Sequence, residues 1–283
     1  GDVNGAGFDD LIVATPYAER PGGVESEGES YVVFGKASWA GTPSLDLATL
    51  DGTNGFTLIG IDAEDKSGWS VSSAGDVNGD GFADLIVGVP FGESAGGAYN
   101  EGESYVVFGK TSWAGTPSLD PATLDGTNGF RLVGVDASEN SGYSVSSAGD
   151  VNGDGFDDLI VATPYAPAPG SSNDGETYVV FGKASWAGTP SLDLATLDGT
   201  NGFRLIGIDE LDFSGWSVSS AGDVNGDGFA DLMVGAPSAD STGGATQEGE
   251  SYVVFGKAKW AGTPSLNLAT LDGTNGFRLI GID

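Results

Sequence analysis

Four apolar segments within residues 67–136 read as strands. "SGWSVSSAG" (67–75) alternates Trp69, Val71 and Ser73 against Ser70, Ser72 and Ala74, a period of two that marks a strand. Its small side chains suit an innermost position, where sheets crowd around an axis. "DLIVGVP" (84–90) is a continuous apolar run, as a strand covered on both faces requires. "ESYVVFGK" (103–110) is a third β-rich run. "GFRLVGVD" (129–136) sets Phe130, Leu132 and Gly134 against Arg131, Val133 and Val135, and the arginine predicts an exposed outer edge.

The same series returns along the whole chain. "GDVNG" starts at Gly1, Gly75, Gly149 and Gly222, at intervals of 74, 74 and 73 residues. Phe-Gly-Lys (34–36, 108–110, 181–183, 255–257) and Gly-Thr-Asn-Gly-Phe (52–56, 126–130, 199–203, 273–277) keep step. Repeats this long exceed the usual solenoid periods and suit one propeller blade with an insertion. Between the third and fourth strands, "KTSWAGTPSLDPATLDGTNG" (110–129) reads as an ordered loop with a helical turn. The variable stretches 17–29, 91–103, 165–176 and 238–250 read as solvent-facing rim loops. The expected fold is an all-β propeller of four-stranded antiparallel blades, in one segment over 1–283. Its units are approximately 1–74, 75–148, 149–221 and 222–283, and the first lacks its inner strand. The missing strand points to a larger propeller or array; a less favoured alternative is head-to-tail self-association in which another chain supplies it.

Charge adds the chemistry. Against 10 basic residues stand 41 acids, a formal net charge of −31, with no Cys and no His among 283 residues. Thiol chemistry, Cys/His zinc sites and His-based acid–base relays are excluded. Phosphate-rich nucleic acid and anionic membranes are repelled, and no apolar run is long enough to insert into a bilayer. Multivalent cations are the natural counterpart. In "DVNGDGFAD" the first, third, fifth and ninth positions are Asp76, Asn78, Asp80 and Asp84, alternate side chains that a curling loop turns inward. Gly81 permits the sharp turn and the Phe82 carbonyl offers a further oxygen. Hard oxygen donors favour Ca²⁺ over transition metals, and Mg²⁺ prefers a tighter octahedron. An EF-hand needs an acid at position twelve, where Val13, Val87, Val161 and Val234 stand instead. A plain Asp/Asn/Gly turn that binds nothing remains the alternative, weakened by three full copies. The first loop keeps Asp2, Asn4 and Asp10 but has Ala6 at position five, so a weaker fourth site is expected beside three strong ones.

The small glycine-containing strand, DxNxDGxxD, the apolar strand ending near Gly-Ala-Pro and the Tyr-Val-Val-Phe strand together resemble FG-GAP repeats. Such repeats build the calcium-binding propeller of integrin α subunits and of bacterial extracellular proteins, commonly seven-bladed. The resemblance implies Ca²⁺ ligands at Asp76, Asn78, Asp80, Phe82 and Asp84; at Asp150, Asn152, Asp154, Phe156 and Asp158; and at Asp223, Asn225, Asp227, Phe229 and Asp231. Serine replaces the family's phenylalanine at Ser67-Gly68, Ser141-Gly142 and Ser214-Gly215, and Gly-Ala-Pro is intact only at 235–237. The implied role is a secreted or cell-surface, non-enzymatic module for adhesion or surface assembly, with an extracellular protein or glycan as partner. Two alternatives are a carbohydrate-binding module and the non-catalytic propeller of a polysaccharide-degrading enzyme.

Other periodic residues have structural readings. Trp39, Trp113, Trp186 and Trp260, with Trp69, Tyr143 and Trp216, read as inter-blade core, and a sugar-stacking row is the competing reading. Lys36, Lys110, Lys183 and Lys257, with Arg131, Arg204 and Arg278, read as cations neutralising carboxylates within each blade. Glu64, Asp65, Glu139, Glu210 and Asp212 recur ahead of the inner strand as solvated loop acids would, not as one asymmetric catalytic pair.

Overall fold

The computed structural model describes residues 1–19, 22–94, 98–167, 173–240 and 247–282. The central parts of the four variable loops lie outside the described residues. The chain forms four sheets in sequence order. The second blade joins β4 (Ser70–Gly75), β5 (Asp84–Val89), β6 (Glu103–Val107) and β8 (Gly129–Val133), each antiparallel to its neighbour. The third repeats this with β9 (Ser144–Gly149), β10 (Asp158–Thr163), β11 (Glu176–Val180) and β13 (Gly202–Ile206). The fourth does so with β14 (Ser217–Gly222), β15 (Asp231–Ala236), β16 (Glu250–Val254) and β18 (Gly276–Ile280). The first blade holds β1 (Leu11–Thr15), β2 (Glu29–Val33) and β3 (Gly55–Ile59), with no inner strand among the described residues. These are propeller blades in an open arc, and the anticipated strand order within them holds.

Local chemistry fixes the turns. In the second blade Asp125 Oδ1 accepts from the Thr127 amide (2.8 Å) and hydroxyl (2.6 Å), while Asn128 Oδ1 accepts from the Asp125 amide (3.0 Å). This Asx turn delivers Gly129 at φ +142°, where a β-carbon would strike the Val106 carbonyl, so only glycine enters β8 this way.

The outer edge differs from expectation. The insertion also contributes short strands: β7 (Ser118–Leu119), β12 (Ser191–Asp193) and β17 (Ser265–Asn267). Each leaves its own blade and pairs in parallel with the fourth strand of the preceding one, β7 on β3, β12 on β8 and β17 on β13. The expected helical turn is present just beyond, as at Pro121–Thr123, where Asp120 caps by accepting from Ala122 N. The fourth strand of the first three blades is therefore covered, because an unpaired row of amides and carbonyls is satisfied by the neighbouring repeat.

The same insertion carries the tryptophan. Trp113 stacks on Phe56 of the preceding blade at 3.8 Å and 9°, Trp186 on Phe130 at 3.7 Å and 8°, and Trp260 on Phe203 at 3.6 Å and 6°. These three indoles are core, as the periodicity indicated, only 2–3% exposed, whereas Trp39 and Trp216, read as core with them, are each 41% exposed. On the opposite face of each ring sits Lys110, Lys183 or Lys257, at 4.0–4.1 Å from the centroid. The expectation that these lysines neutralise carboxylates is thus corrected: an ammonium over an indole face gains cation–π attraction while its stem packs against the ring. For the arginines the expectation holds. Arg131, Arg204 and Arg278 pair with Glu103, Glu176 and Glu250 at 3.1, 3.1 and 3.3 Å.

Between blades the core is continuous. Ile86, Val106, Phe130 and Leu132 of the second blade meet Leu159, Val161, Tyr178 and Val180 of the third in one buried cluster. Each such side chain contributes about 1.5–3 kcal/mol on burial. Junctions, not single blades, hold the hydrophobic energy.

Candidate metal centre

The second, third and fourth acidic loops each follow the inner strand, at the opposite end of the blade from Trp69, Tyr143 and Trp216. At its entry the β4–β5 register shifts between Ser73 and Gly75, and Gly75 takes φ +77°. The chain then curls around the first aspartate. Asp76 Oδ1 accepts from Asp80 N (3.0 Å) and Oδ2 from Gly81 N (2.9 Å). Asn78 Oδ1 also accepts from Asp80 N (2.8 Å), and Asp80 Oδ1 from Phe82 N (2.9 Å). Asp150, Asn152 and Asp154 reproduce this pattern in the third blade, as do Asp223, Asn225 and Asp227 in the fourth. In the first loop Asp2 and Asn4 hold the amides of Ala6 and Gly7, but Ala6 offers no carboxylate.

Position nine is different in kind. Asp84, Asp158 and Asp231 are fully buried, and Asp10 nearly so. Asp84 Oδ2 accepts from Val77 N (3.0 Å), and Oδ1 from Gly109 N (2.8 Å) across the blade. Asp158 does the same with Val151 and Gly182, Asp231 with Val224 and Gly256, and Asp10 with Val3 and Gly35. Burial pushes Asp84 and Asp158 up to about 8, against the lowering effect of those amides. The glycine of Phe-Gly-Lys is thus part of the site, which the sequence reading missed. Its recurrence in step with the loops was the available signal.

The phenylalanines at position seven face away from their own loops. Phe82 packs on Gly5, Phe156 on Gly79 and Phe229 on Gly153, in each case a glycine of the preceding loop. Neighbouring loops are also tied by backbone bonds, Ala83 N to Asp2 O (3.0 Å) and Ala230 N to Asp150 O (3.0 Å). The structure therefore brings positions one, three and five together at the surface and sets position nine beneath them. Among the described residues no three acidic side chains gather closely enough to hold an ion in this conformation. No loop acid forms an ion pair with Lys or Arg among the described residues.

At the opposite end of the blades Glu64 and Glu210 are exposed as expected, while the other three acids read as solvated are buried instead. Asp65, Glu139 and Asp212 are 8%, 4% and 5% exposed, because each linker folds along the preceding blade, as when Ser141 N bonds Glu101 O (3.0 Å). Burial, reinforced by neighbouring carboxylates, pushes Asp65 and Glu139 up to about 7 and Asp212 to about 6. Above them the rings of Trp69, Tyr143 and Trp216 run from blade to blade at 5.6 and 4.9 Å.

Four blade sheets, cross-blade latches and a recurrent acidic turn define the class: a tandem-repeat β-propeller segment. The FG-GAP repeat model matches residues 67–107, 141–180 and 214–254, one match per complete blade. Integrin alpha pat-2 of Caenorhabditis elegans is 29% identical over 83% of this chain, which spans 17% of that protein. Integrin alpha-V of Gallus gallus is 26% identical over 85% of this chain and is spanned to 20%. Phosphatidylinositol-glycan-specific phospholipase D of Bos taurus is 31% identical over 72% of this chain and is spanned to 22%. The chain thus carries three FG-GAP repeats and is similar to integrin α chains over most of its length, as an integrin-α N-terminal-like FG-GAP region. It spans about a fifth of the length of these relatives. No helix among the described residues is long and apolar enough to cross a membrane.

Proposed function

We propose that the chain is a calcium-set propeller module of the cell exterior, serving adhesion or surface assembly. The observation that carries this reading is the fourfold acidic loop, whose surface carboxylates have backbone amides as partners and, among the described residues, no lysine or arginine paired with them. The residues fit a hard cation by donor chemistry. Each full loop offers three carboxylates, one amide oxygen and one main-chain carbonyl, and an oxygen accepting one amide keeps a second lone pair. In the second loop Asp76, Asn78, Asp80, Asp84 and the Phe82 carbonyl would hold the ion, with the corresponding residues of the third and fourth loops. When bound, Ca²⁺ supplies charge neutralisation and a rigid turn between the first two strands, so free Ca²⁺ raises stability by mass action. Such a device suits calcium-rich surroundings outside the cell. The integrin α relatives support a structural role without chemistry of its own, while the phospholipase D relatives place similar repeats in an enzyme.

Calorimetric titration of metal-stripped protein tests this. Three tight sites, one weaker site and a large rise in melting temperature are expected. Absence of binding would reduce the loops to turn chemistry. A second reading, carbohydrate binding, is favoured by the partly exposed row of Trp69, Tyr143 and Trp216. Saturable binding on a glycan array, lost in Trp216→Ala, would promote it.

A further inference from the structure

We propose that the acidic loops bind as a coupled row, in which an ion in one loop readies its neighbour, most strongly between the second and third loops. The inference rests on the calcium reading above and deepens it, since it concerns how those sites regulate one another. Its basis is that a residue placed to hold the ion in one loop is also a support of the next. Asp76, the first ligand of the second loop in that reading, accepts at its main-chain carbonyl from Asp157 N (3.2 Å). Asp150, the first ligand of the third, accepts in the same way from Ala230 N (3.0 Å). Phe156 offers its carbonyl within the third loop, yet its ring lies on Gly79 of the second, and Phe229 does the same over Gly153. Val77 O accepts from Lys183 N (3.0 Å) and Val151 O from Lys257 N (2.9 Å), so each bridge has a further anchor beside it.

The bridge between the second and third loops carries more. Position eight is alanine in the second and fourth loops, Ala83 and Ala230, but aspartate in the third. Asp157 Oδ2 accepts from Asp76 N across the junction (2.8 Å), so one residue of the next blade holds Asp76 at both its amide and its carbonyl. Among the described residues no three acids converge in this conformation, so binding must draw the ligands of a loop inward. Asp76 and Phe156 move with them, and the joined loop is drawn toward its own binding shape. An ion entering there loses less ordering entropy, which is positive coupling between distinct sites. Charge works the other way, because one bound cation weakens the negative field at the next loop. At physiological ionic strength that field is screened beyond about 8 Å, whereas the bridges are direct contacts, so the favourable effect prevails.

Calorimetric Ca²⁺ titration of the metal-stripped chain at physiological salt tests the proposal. The wild type should bind with a Hill coefficient above one. Asp154→Ala, which takes the position-five carboxylate from the third loop, should also weaken the second and fourth loops, by about fivefold or more. Asp157→Ala leaves every ligand of the calcium reading in place and should lower the cooperativity. Asp157→Asn drops the charge but keeps an oxygen for Asp76 N, and should preserve most of it. Amide hydrogen exchange supplies a second readout. In Asp154→Ala, Ca²⁺ that fills only the strong sites should still raise protection in the third loop. Independent binding by the wild type, unchanged affinity at the remaining sites of Asp154→Ala, or full cooperativity in Asp157→Ala would each overturn the coupling and leave the calcium reading standing. A chain that binds no Ca²⁺ would overturn both.

Discussion

Trp186→Ala and Trp39→Ala remove the same side chain from the same local sequence, Lys-Ala-Ser-Trp-Ala-Gly-Thr-Pro, and should differ sharply in cost. Trp186 lies 3.7 Å from the Phe130 ring, carries Lys183 on its other face at 4.0 Å, and directs Nε1 at the Val77 carbonyl at 3.4 Å. A Trp→Ala change at a buried site costs about 3–5 kcal/mol. The stacked pair supplies about 0.5–1.5 of that and the ammonium about 0.5–1. Among the described residues Trp39 stacks on no other ring and has Lys36 over its face, so in this 283-residue chain truncation should cost under about 1 kcal/mol. At roughly 2–4 °C per kcal/mol, Trp186→Ala should lower the melting temperature by about 6–20 °C and Trp39→Ala by less than about 4 °C. The assay is calorimetric melting at constant saturating Ca²⁺. Equal shifts for the two variants would refute the view that junction packing, and not the local loop, gives the tryptophan its value.

Three further outcomes are expected. Asp84→Ala strands the buried amides of Val77 and Gly109 and should cost about 2–5 kcal/mol in metal-free urea unfolding, while Asp80→Ala costs little there; comparable costs would mean that Asp84 does not clamp the blade. Ala6→Asp should convert the weak first site into one titrating like the other three, and an unchanged binding isotherm would remove the proposed role of position five. Because burial raises Asp65, Glu139 and Asp212, the folded protein holds protons that the unfolded chain releases near pH 4. Their contribution is therefore full below about pH 4 and is lost as pH rises through about 6–7. Metal-free melting should fall over that window, and Glu139→Gln should flatten part of the fall; an unaltered slope would show that Glu139 takes no part.

What the sequence determined by itself is the blade. Period-two alternation, the continuous apolar run of 84–90 and the 74-residue recurrence depend on short-range pattern, and they placed every strand of the antiparallel sheets. The acidic turns were legible for the same reason, since the spacing of their Asp, Asn and Gly residues is local. What only the tertiary structure decided lies across junctions. Nothing within the Ser191–Asp193 stretch says that it pairs with Arg131–Val133 of the preceding blade. That pairing exists because β8 would otherwise leave its outer amides and carbonyls without partners. The stacking of Trp186 on Phe130, and the setting of Glu139 beside Glu176 and Arg204, are likewise decided by what the neighbouring blade brings near, whereas Lys183 over Trp186 is local, as Lys36 over Trp39 shows. The contrast between Trp39 and Trp186 puts the division most plainly: near-identical local sequence, one ring open to water and one stacked, because burial belongs to the junction and not to the residue.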